Sequence, residues 1–274
     1  MLKQFSKNKK FFIAGLCGFF ILKFIIFNVT EDNIATPPAE KAATASSPTK
    51  TASETESAPP VQLHVPLIQQ MPELERGCEV TSLAMILQYH GIDIDKMELA
   101  ENIAYEPFEE NGLRGNMNQG FVGNMETFEE SGLGVYIDPI IELAEQYVDS
   151  SQIVNLIGQS TDALYAAIDE GSPVWILTNS WFSYLPEEQF ITWETAEGSM
   201  MVTYRQHSVV LTYYDDEFVY INDPLQSAAK YRTRPHEFRG SMDSNGQPSI
   251  LHQQLTLYLL SNALISGKHT FSAD

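Results

Sequence analysis

QHSVVLTYYDDEFVYIND, residues 206–223, reads as a β-hairpin. Two runs rich in β-branched and aromatic residues, HSVVLTYY (207–214) and EFVYIND (217–223), flank an acidic turn at Asp215 and Asp216. A third run of the same character, PVWILTN (173–179), precedes them. Further upstream the hydrophobic period changes. EVTSLAMILQYH (79–90) sets Val80, Leu83, Ala84 and Leu87 on one helical stripe, with Gly91 placed to stop it. DKMELAENIA (95–104) begins with Asp95 and Glu98 in a box-like start. IIELAEQYV (140–148) follows Asp138 and Pro139, and DALYAAIDE (162–170) lies between Thr161 and Gly171. QLHVPLI (62–68) alternates like a short strand. Helices first and antiparallel strands later predict an α+β domain over residues 61–274.

The chain has 274 residues, enough for one sizeable core with appendages. Its 36 acidic residues outnumber 16 basic ones, a net charge of -20. Nucleic-acid binding needs a basic footprint to neutralise phosphates, so DNA and RNA are excluded as expected partners. Two cysteines, Cys17 and Cys78, make neither a disulfide framework nor a paired CxxC zinc site. No histidine and carboxylate cluster has metal spacing and no strand-to-helix glycine motif marks a cofactor loop, so neither metal nor cofactor is expected.

Lys3, Lys7, Lys9 and Lys10 precede FFIAGLCGFFILKFIIFNV (11–29), an apolar run interrupted by Lys23 and Asn28. Its length matches a bilayer-spanning helix, so residues 1–29 are expected to be a signal anchor, with a cleaved signal peptide as the alternative. Lysines ahead of the span would keep the N-terminus inside. The expected location is therefore the cell membrane, single-pass, with the domain outside the cytoplasm, or else secretion. Cys17, within the apolar run, is expected to be a membrane-buried thiol. Residues 30–60, rich in Ala, Thr, Ser, Pro and Glu without an aromatic, cannot bury enough surface to offset ordering entropy and are expected to be a linker.

Cys78 is the cysteine of the globular region. It is a candidate nucleophile because it follows Gly77 at a helix start, where unsatisfied N–H groups and the dipole lower a thiol's pKa. At 100° per residue it projects about 160° from the apolar stripe. Met85 and Tyr89 share its side, however, so a small buried hydrophobe in a two-sided helix is the alternative. A thiol nucleophile needs a base. With the turn centred at 215–216, His207 falls opposite position 223 or 224, which makes Asp223 its cross-strand or diagonal neighbour. A carboxylate so placed holds an imidazole for proton transfer, although a plain ion pair at a hairpin end has the same sequence. His64, His90, His236, His252 and His269 have no comparable partner and are expected to be structural. Gln70, just upstream of the helix, offers an amide beside the Cys78 backbone N–H for a developing oxyanion, with Gln69 as its competitor. The aromatic stretch WFSYLPEEQFITW (181–193) is either a substrate lip or core.

VPLIQQMPELERGCEVTSLAMILQYHG, NQGFVGN (118–124), PVWILTN, QHSVVLTYYD and VYINDPL occur in that order. The set resembles the peptidase family C-thirty-nine-like group, papain-fold bacterial proteins related to the peptidases that cut bacteriocin leaders after double glycine. The resemblance covers about residues 61–240. It implies a papain-like fold with an N-terminal helical half and a C-terminal antiparallel sheet. It also implies a Cys78, His207, Asp223 triad with Gln70 completing the oxyanion hole, acting on a peptide or protein substrate. Glu79 departs from the glycine that follows the cysteine in the leader-cutting peptidases, and Tyr213 from a glycine usual in relatives. The expected function is an extracytoplasmic cysteine peptidase or amidase. An acyl transferase on the same fold and an inactive surface binding module are the alternatives.

Overall fold

The computed structural model describes residues 62–229 and 231–237, and the backbone of 256–259. Its elements in chain order begin with helices α1 (Cys78–Tyr89) and α2 (Lys96–Asn102). Four two-residue strands follow: β1 (Tyr105–Glu106), β2 (Glu109–Glu110), β3 (Leu113–Arg114) and β4 (Phe121–Val122). Next come α3 (Ile137–Ala144), β5 (Ile153–Asn155), α4 (Thr161–Asp169) and β6 (Val174–Asn179). The strands that follow are β7 (Ile191–Thr195), β8 (Gly198–Val202), β9 (Gln206–Tyr214), β10 (Val219–Asn222), β11 (Tyr231–Thr233) and β12 (Thr256–Leu259).

Six strands form one sheet in the order β11-β10-β9-β6-β12-β5, antiparallel at every pairing. β9 and β6 occupy its interior, and their all-buried runs of Val, Ile, Leu and Trp are what a strand covered on its faces requires. α1 packs on these two strands and, elsewhere on its surface, against α2 and α3. Every residue from Cys78 to Leu87 is consequently buried. The expected single stripe is thus corrected: Thr81, Ser82, Met85 and Ile86 are as inaccessible as Val80 and Leu83, so angular distance from the stripe does not distinguish Cys78. Asp95 caps α2 by accepting from Met97 N at 2.5 Å, a simple N-cap in place of the Asp95–Glu98 box that the sequence suggested.

Residues 62–65 alternate in burial, with Leu63 and Val65 inside, and 66–68 are all half-buried, yet 62–68 form no strand. Pro66 has no N–H for a ladder. The segment is fixed instead by Leu63 N donating to Thr212 O (3.2 Å) and by the Asn222 side chain donating to Val65 O (3.0 Å).

Among the described residues no helix is long and apolar enough to cross a membrane. The 12 residues of α1 span about 18 Å against a hydrocarbon core of about 30 Å. The expectation of a single-pass cell-membrane protein is corrected on that finding. The stretches expected as anchor (1–29) and linker (30–60) lie outside the described residues, as do His252 and His269.

Candidate active site

The hairpin β9–β10 and the first turn of α1 bring three expected residues into one neighbourhood. His207, one residue into β9, pairs with Thr178 of β6 and is 3% exposed. Asp223 follows the last residue of β10 and is 2% exposed. The His207 Nε2–H donates to Asp223 Oδ1 at 2.8 Å. Leu225 N donates to the same oxygen at 2.9 Å. Burial works to raise the Asp223 carboxyl, but the hydrogen bond and charge of His207 and the Leu225 N–H outweigh it and hold the group below its usual range. With Nε2 committed to Asp223, Nδ1 is the ring nitrogen left for a reacting group.

Cys78 opens α1 and is 7% exposed. Its sulfur lies where the Ser208 backbone N–H, next to His207, and the Asp223 charge both act on it. The helix start was expected to lower the thiol's pKa. The opposite holds: burial pushes it well above its usual value, the Glu79 carboxylate adds to this, and the Ser208 N–H opposes them. The S–H donates to Glu79 Oε2 at 3.2 Å.

Of the two glutamines, Gln70 turns inward at 2% exposure and Gln69 stays exposed, donating to Gln226 O at 3.4 Å. The Gln70 amide nitrogen donates to Leu74 O (3.2 Å) and Glu75 O (3.0 Å), bracing the turn that delivers Cys78. Gln70 N donates to Pro224 O at 3.0 Å, tying this segment to the residue after Asp223.

One wall of the site comes from the aromatic stretch 181–193, within which the sequence did not single out Phe182. Phe182 stands edge-on to the His207 ring, centroids 6.0 Å apart, and is backed by Tyr231 at 5.6 Å. Its φ of +50° is an outlier for a bulky residue. The turn that imposes it runs through Asn179, whose O accepts from Phe182 N (3.0 Å) and whose side chain binds Trp181 N and Ser183 O. A polar residue capping a buried strand ahead of an aromatic run was the available signal. The aromatic stretch divides: Trp181 and Tyr184 are exposed, whereas Trp193 is buried with its N–H on Gly115 O at 2.8 Å. NQGFVGN supplies β4 and a tight turn at Gly123, whose φ is +82°. His64 and His236 are surface residues, and His90 ends α1 against Tyr89. Among the described residues no group of His, Cys, Asp and Glu could hold a metal ion.

The chain belongs to the Peptidase_C39 like family, whose pattern matches residues 62–247. It is 45% identical to a protein from Bacillus anthracis assigned as a C39-like peptidase, with a TM-score of 0.67 over 74% of this chain and 98% of that one. It is 44% identical over 165 residues to the uncharacterized protein YvpB of Bacillus subtilis (strain 168), spanning 59% of this chain and 64% of that protein's length. The fold is thus the α+β, papain-like fold of C39-like peptidases, with an antiparallel sheet in its C-terminal half.

Proposed function

We propose that this member of a peptidase family is a cysteine peptidase or amidase that hydrolyses a peptide or amide bond through Cys78, His207 and Asp223. The observation that carries this reading is the buried 2.8 Å bond from His207 Nε2 to Asp223, beside the sulfur of Cys78. A histidine held in that tautomer presents a basic Nδ1 to a proton donor. Because the thiol is kept protonated at rest, His207 acts as a general base during attack, taking the S–H proton as sulfur bonds to the carbonyl carbon. The resulting imidazolium, stabilised by Asp223, protonates the departing amine. Water then attacks the thioester, giving its proton to His207 and returning the thiol. The Cys78 backbone N–H is an unsatisfied donor of the first helical turn and is suited to the oxyanion. For Gln70 to add a second donor, one of its amide hydrogens must leave the Leu74 or Glu75 carbonyl.

The test is hydrolysis of a fluorogenic peptide library by the full chain, with products identified by mass. Loss of all cleavage in Cys78→Ala and in His207→Ala is expected. Cleavage that survives Cys78→Ala would overturn the assignment.

A further inference from the structure

Glu79 is a carboxylate 2% exposed, inside a helix buried on all sides. Among the described residues no lysine or arginine pairs with it, as the ion pairs lie elsewhere. Burying an acid without a counter-ion is costly, so its hydrogen bonds have to account for it. Its two oxygens are used differently. Oε1 accepts from Gln206 Nε2 at 2.7 Å and from Val135 N at 3.5 Å. Gln206 Nε2 also donates to Val135 O at 3.0 Å, which fixes the amide so that it offers Glu79 a hydrogen and not its oxygen. Gly134 closes the far side: a Cβ there would stand 2.8 Å from both Glu79 Oε1 and Gln206 Nε2. At the backbone, Trp175 Nε1 donates to Glu79 O at 3.0 Å. Every one of these contacts leaves Oε2 directed at the Cys78 sulfur, 3.2 Å away.

We propose that Glu79 is a positioning residue that sets the protonation of the Cys78 sulfur, holding it as a thiol while Glu79 is a carboxylate and steadying a thiolate once Glu79 is a neutral acid. This rests on Cys78 being the nucleophile. In the first state the S–H bond points at Oε2, and transfer of its proton to His207 leaves two anions in contact. In the second state a proton taken from solvent sits on Oε2. When His207 then removes the S–H proton, the carboxylic O–H donates to the sulfur, and the charges on the pair sum to one anion. Burial raises the Glu79 carboxyl and so favours the neutral acid at higher pH than for an exposed glutamate, while the Gln206 and Val135 donors oppose it. The other titratable groups at the sulfur are His207, next to Gln206 on β9, and Asp223, whose charge also resists a thiolate. Gln206, Val135, Ser208 and Trp175 are neutral.

The experiment uses Glu79→Gln, which keeps an oxygen for Gln206 and turns an N–H donor toward the sulfur. Full-length protein in a Cys17→Ser background is alkylated with iodoacetamide across a pH series, and the rate at Cys78 is read by peptide mass. The variant is expected to react at least about 10-fold faster at neutral pH, its inflection lying about one unit or more lower. Coincident profiles would overturn the role of Glu79 while leaving Cys78 as nucleophile; peptide cleavage persisting in Cys78→Ala would overturn the nucleophile itself. Should Glu79→Gln not fold, the S–H infrared band of the Cys17→Ser protein serves in its place. The band is expected to respond as the buried carboxyl takes up its proton, and a band that never responds would equally overturn the proposal.

Discussion

Asp223 meets His207 on the diagonal of the hairpin, not straight across it. Val219 pairs with Tyr214 and Tyr220 with Tyr213, but beyond a bulge Ile221 pairs with Leu211 and Asn222 with Val210. Continued, that register puts Asp223 opposite Val209, on the same side of the bulge as the imidazole it reaches. The carboxylate is therefore placed by three things: the bulge, the end of β10, and the Leu225 N–H that accompanies it.

Replacing Asp223 by Asn keeps the side-chain volume and removes the charge. Peptide turnover is expected to fall about 100- to 10,000-fold with the fold retained. Stability follows the sign of the shift. Because the folded-state pKa lies below the unfolded one, Asp223 stabilises the protein above the ordinary carboxylate range and ceases to do so as pH falls through the folded value. Thermal unfolding of Asp223→Asn should show less loss on the acid side than the wild type. Parallel acid profiles for the two would contradict this.

Gln70→Ala should lower kcat by about 100-fold if the amide reaches the oxyanion. It should also lower Tm, because the Leu74 and Glu75 carbonyls lose their donor. Gln69→Ala, at an exposed side chain, should change neither. A Gln70 variant with reduced Tm and intact kcat would confine the residue to bracing the turn.

Gly134→Ala introduces a methyl group 2.8 Å from two hydrogen-bonded side-chain atoms that cannot swing away without breaking their bonds. A destabilisation of about 1–3 kcal/mol is expected in urea unfolding. An unchanged midpoint would mean that Glu79 and Gln206 are free to move.

Phe182→Gly and Phe182→Ala both delete the ring beside His207, but only glycine is at ease at φ +50°. The glycine variant should be the more stable by about 1–2 kcal/mol. Equal stabilities would show that the turn relaxes once the ring is gone.

Periodicity made the helices and the strands β6, β9 and β10 legible, though not the hairpin β7–β8, because 3.6- and 2-residue repeats follow from which faces are buried. It failed where burial is total. In α1 no face is solvent-exposed over the first ten residues, so the stripe of Val80, Leu83, Ala84 and Leu87 marks only part of a core helix. The pairing of His207 with Asp223 followed from counting back from the turn, since register is local. The position opposite His207 is 225 and not the expected 223 or 224, because the turn runs Asp215 to Phe218, where Asp215 N bonds Phe218 O, and the bulge takes back one residue of that shift. The Glu79 contacts were not legible. They join residues separated by 56 and 127 positions, and nothing local in GCEVTS announces what its carboxylate will meet.

The segment from Leu63 to Gln70 hangs on the hairpin through Thr212, Asn222 and Pro224, so it travels with the strands that carry His207 and Asp223. Mechanically this leaves two bodies at the site: the hairpin with its attached segment, and the first turn of α1. The pair is joined at Glu79 by two pins, the Gln206 amide of β9 on its carboxylate and the Trp175 indole of β6 on its carbonyl, and at Gln70 by its bonds to the Leu74 and Glu75 carbonyls. A displacement shared by the whole hairpin leaves Gln70, His207 and Asp223 in mutual alignment, whereas a slide of α1 past those pins changes the reach from the sulfur to all three at once.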